Sequence, residues 1–223
     1  MESSNKITDK EKALRKEFAE RTVKANLKPD SQRRQLGDSE HVRDIGKKIS
    51  QLLDDEQVEE ARAMLTEAIK ENPSELGFLN LQTIIDIIDH PVGEYQSAKE
   101  WGLKTAEKAV EKQNTYYLMA VLCNMGLVAL YEGNDIFSKV LYLAAHHIDD
   151  KALTPLQNLL SWCSRRNRLD EAMNWAEKIQ AAFPDWRNDA ALVRYFKKDE
   201  SLSNLRKYEP FKTKVMSKIG EAN

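Results

Sequence analysis

Residues 58–74, VEEARAMLTEAIKENPS, decide the architecture of this chain. A small residue, Ala61, is followed four positions later by Leu65, at the seventh position by Ala68, and then by a break at Pro73. Residues 169–185, LDEAMNWAEKIQAAFPD, repeat the order with Ala172, Ala176, Ile179 and Pro184. Ser138, Tyr142 and Ala145 repeat it without the proline, and Ala98, Gly102 and Thr105 are a weaker copy. The positions i, i+4 and i+7 fall on one face of a helix. The anchors Ala61, Ala98, Ser138 and Ala172 recur at a period of roughly 34 to 40 residues, the length of a helix pair. A pair of that size cannot bury its apolar face alone, so it must stack on copies of itself.

The pattern resembles the tetratricopeptide repeat family, in which each repeat is two antiparallel helices with a small residue where the second crosses the first. Closely crossing helices leave no room for a long side chain at the contact. Leu122, Met125, Gly126 and Ala129 match the first-helix set ahead of the turn Glu132-Gly133-Asn134-Asp135. Ile45, Ile49 and Leu52 stand at the same sites in the first repeat, and Leu156, Leu159, Leu160 and Cys163 in the last. The family's frequent first-helix Trp is absent, and its Gly survives only at Gly126. The resemblance implies an all-α, right-handed helical-hairpin solenoid of about four repeats (about 42–74, 79–113, 119–150 and 153–186) within 41–186.

The flanks differ in kind. Residues 1–40 form a charged arm in which Thr8 and Glu11 make a capping box for a helix over about 9–27, ending before Pro29. Its apolar stripe, Ile7, Leu14 and Phe18, is thin, and 29–40 reads as a polar linker. A mobile tail and a docking arm both fit this segment, and the arm offers a route to a homo-oligomer. At the other end, 187–223, Ala191, Leu192, Tyr195 and Phe196 continue as a capping helix. The tail after it resembles a segment that closes bacterial tetratricopeptide proteins, with Leu202, Leu205 and Phe211 covering the last hairpin.

Composition narrows the function. Charged residues make up 31% with a net charge of −2, which argues against a nucleic-acid binder. The apolar run TYYLMAVLCNMGLVALY, 115–131, carries Asn124 and Gly126 and reads as a helix covered on every side, not a membrane span. Cys123 and Cys163 read as small buried hydrophobes of a reducing compartment. The start, MESSNKITDKEK, lacks the apolar core of a secretory signal, and a cytoplasmic location is expected. His146 and His147 point about 100° apart on a helix and do not converge on one metal. No P-loop, GxGxxG, GxSxG or HExxH occurs, so neither an enzyme, a metal nor a cofactor is expected.

The resemblance places a ligand on the concave face built by the first helix of each hairpin. Carried over residue by residue, it implies a peptide-binding groove of Thr83, Ile87, Cys123, Asn124, Leu127, Tyr131, Gln157, Asn158 and Arg165, with Asn80 and Ser161 beside them. Amides can satisfy an extended peptide backbone, while Leu127 and Tyr131 offer apolar contact. The family's two-carboxylate clamp for chaperone tails is not reproduced. Asn124 falls on one of its asparagine sites, but Thr83 and Thr154 stand where cations belong and Asn158 replaces another. The expected role is a non-catalytic scaffold or adaptor for a peptide segment or protein subunit. A dedicated chaperone for a secreted or assembling client, and a self-assembling protein using the arm, are the alternatives.

Overall fold

The computed structural model describes residues 40–55, 57–89 and 94–220. Of the expected arm, 1–40, residues 1–39 lie outside them, and Glu40 is the first residue of the first helix. The described residues are mostly helical, and they fall into two compact units that divide between Ile148 and Asp149, taken separately below.

The first unit contains α1 (Glu40–Asp54), α2 (Val58–Glu71), α3 (Leu76–Asp89), α4 (Gln96–Glu111), α5 (Thr115–Tyr131) and α6 (Asp135–Ile148). Each helix packs on its sequence neighbour, and α3 also touches α1 and α5. The anchors explain why these helices approach so closely. Ala61, Leu65, Ala98, Thr105, Ser138, Tyr142 and Ala145 are fully buried, and Ala68 nearly so. Ala61, Leu65 and Ala68 of α2 join Val42 and Ile49 of α1 and Phe78, Leu81 and Ile85 of α3 in one cluster. Burying a side chain of the size of Leu65 stabilises by about 1.5–3 kcal/mol, while Ala61 and Ala68 let the neighbouring helices approach it.

Helix α3 is enclosed more completely than periodicity predicts, since every residue from Leu76 to Ile87 is buried. The apolar run at 115–131 is the helix α5, buried along most of its length and packed against α3, α4 and α6. No helix of the described residues is long and apolar enough to cross a membrane.

The second unit contains α7 (Leu153–Arg165), α8 (Leu169–Ala182) and α9 (Ala190–Lys198), then two short 3-10 turns, Glu200–Leu202 and Leu205–Lys207. A last helical stretch consists of α10 (Glu209–Phe211), a π-helical turn Lys212–Met216, and α11 (Ser217–Gly220). Ala172, Ala176 and Ile179 of α8 are again fully buried. Leu192, Tyr195 and Phe196 of α9 are buried, as are Leu202, Leu205 and Phe211, the three residues expected to close the hairpin. Phe196 holds this end together, with ring centroids 5.3 Å from Trp186 and 6.0 Å from Phe211. Asp189 starts α9 by accepting the backbone N–H groups of Ala191 and Leu192.

Three connections share one geometry. Gln113, Gly133 and Asn167 all have positive φ, at 52°, 80° and 56°. Each lies just past a helix end, and the next residue donates its N–H five positions back: Asn114 to Ala109, Asn134 to Ala129, Arg168 to Cys163. A left-handed residue closing the chain this way satisfies the orphan carbonyls of the helix end and reverses its direction.

Candidate functional site

The expected groove residues divide between the two units. Thr83, Ile87, Cys123, Asn124, Leu127 and Tyr131 belong to the first, on α3 and α5; Gln157, Asn158 and Arg165 belong to the second, on α7.

In the first unit, α3 and α5 bring these side chains into one layer. Ile87, Leu127 and Tyr131 share an apolar cluster with Tyr95, Ala98 and Val128. Tyr95 and Tyr131 pack with centroids 5.7 Å apart at a tilt of 37°. One helical turn along α5 from Leu127, Asn124 Nδ2 donates to Asn80 Oδ1 of α3 at 2.9 Å, a bond between residues far apart in sequence and wholly buried. Asn124 Oδ1 has no hydrogen-bond partner among the described residues. Such an acceptor costs about 1–3 kcal/mol if left dry, and Ser138 Oγ, Asn158 Nδ2 and Ser164 Oγ stand likewise among the described residues. Thr83 is oriented differently: its hydroxyl donates back to the Leu79 carbonyl of its own helix, at 3.1 Å. Cys123 is buried beside Asn124 in the sequence of α5.

The layer is closed to solvent where an open groove was expected. Thr83 and Asn124 have no exposed surface, and Leu127, Ile87 and Tyr131 have only a few per cent. The physical difference is in α3, whose all-round burial removes the free face that a concave surface would present.

In the second unit, Gln157 and Asn158 are buried and Arg165 is half-buried. The chain's own C-terminal end occupies this part of α7. Tyr195 Oη donates to the Gln157 carbonyl at 3.0 Å and lies 2.9 Å from Ser161 Oγ. Ser201 Oγ in turn reaches Ser161 Oγ at 2.9 Å. Asn158 Nδ2 has no hydrogen-bond partner among the described residues.

The sequence reading missed one constellation. Asp86 of α3 has no exposed side-chain surface, and its Oδ1 accepts from Arg62 Nη1 of α2 at 2.5 Å and from Gln82 Nε2 at 2.8 Å. Its Oδ2 accepts from Ser97 Oγ of α4 at 2.5 Å. Arg62 Nη2 also reaches Asp89 Oδ2 at 2.7 Å. Burial works against the Arg62 guanidinium, but hydrogen bonds and charge from Asp86 and Asp89 outweigh it and hold its pKa above the ordinary value. The signal was there: an acid in the apolar run IIDIID, three positions from a second one. This network clips three helices together. Among the described residues no group of three or more His, Cys, Asp or Glu side chains is placed to hold a metal ion.

Neither a model of a known protein family, nor a curated protein, nor a solved structure matches this chain.

Proposed function

We propose that this protein is a non-catalytic interaction scaffold of tetratricopeptide-like repeats, and that it takes an extended peptide segment against the layer shared by α3 and α5. The observation that carries the reading is the buried amide pair Asn80–Asn124, with Asn124 Oδ1 lacking a partner among the described residues. A backbone N–H of an extended peptide supplies the missing donor, and the Ile87, Leu127 and Tyr131 cluster one turn away accepts an apolar side chain. The tight small-residue crossings at Ala61, Ala98 and Ser138 favour a repeat array, a class of fold that works by presenting surface.

Because the layer is closed, binding requires α3 to yield locally, and the affinity is reduced by the fraction of molecules open at any time. The test is selection of linear peptides from a random library on the intact protein, followed by titration of the best binder against Asn124→Ala and Tyr131→Ala. The expected result is at least about a tenfold weaker complex for Asn124→Ala, one lost charge-free hydrogen bond in a dry site, with unchanged circular dichroism. Undiminished binding by both variants rejects the assignment.

A further inference from the structure

We draw no further inference here: the strongest candidate, the apolar stripe of Ile136, Phe137, Val140 and Leu143 exposed along α6, carries none because nothing in the structure shows what covers it.

Discussion

Gly126 of α5 lies directly beneath the ring of Tyr142 of α6: a Cβ placed on Gly126 would sit 2.5 Å from Cε1 and 2.7 Å from Cδ1. Tyr142 is fully buried and is the i+4 residue of the third anchor set, so glycine here is what allows the two helices to cross. Gly102 of α4 makes a superficially similar approach, but its neighbour is the Met125 thioether, the flexible end of a mobile side chain.

Gly126→Ala should therefore destabilise by about 1–3 kcal/mol, the cost of forcing a rigid ring out of a packed core. Gly102→Ala should fall within about 1 kcal/mol of wild type, because methionine can move and alanine favours the helix. Urea unfolding of both variants checks the contrast. Equal losses would mean that α5 and α6 do not meet at this crossing.

The Arg62–Asp86 clip predicts a large effect from a single polar residue. Removing Asp86 leaves the partly buried Arg62 without its nearest counter-charge and strands Gln82 and Ser97. Asp86→Ala should cost roughly 1–3 kcal/mol, the penalty of stranding buried donors, because Arg62 keeps some exposure and its contact with Asp89. A double-mutant cycle with Arg62→Ala should return a coupling of about 1 kcal/mol or more. Additive losses would remove the clip from the account.

Tyr208 provides a pH test in the second unit. A hydrogen bond to Asp170 raises the phenol pKa above its ordinary value of 10.0, with desolvation and the Asp170 charge acting in the same direction. A folded-state pKa raised above the unfolded one contributes stability that is fully present below pH 10.0. It is lost as pH climbs through the raised value, since the unfolded chain gives up its proton first. An ultraviolet titration should show Tyr208→Phe removing a late-ionising phenol, and Asp170→Ala moving that phenol back toward 10.0. A late phenol that persists in Asp170→Ala would contradict the contact.

Much of the helical layout was legible because it rests on local spacing. The twelve anchor residues, from Ala61 to Ile179, were read from intervals of four and three, and all are buried. The closing residues Leu202, Leu205 and Phe211 were legible for the same reason, as apolar side chains in a charged tail. The candidate site was less so. Asn80 and Asn124 were each expected on the concave, ligand-facing surface, but their mutual bond joins positions 44 residues apart, and no local interval encodes it. Asp86 went unread because an acid in an apolar run looks like a solvated edge until Arg62 is brought to it.

The sequence by itself determined the anchor faces of α2, α4, α6 and α8, because helical periodicity acts within a few residues. Tertiary structure alone decided which of the other faces are covered. Helix α3 is buried all round although its groove positions were expected to be open, while α6 leaves Ile136, Phe137, Val140 and Leu143 in solvent although they are as apolar as a core. Burial depends on what distant elements place against a face, and that is a property of the assembled helices, not of any one of them.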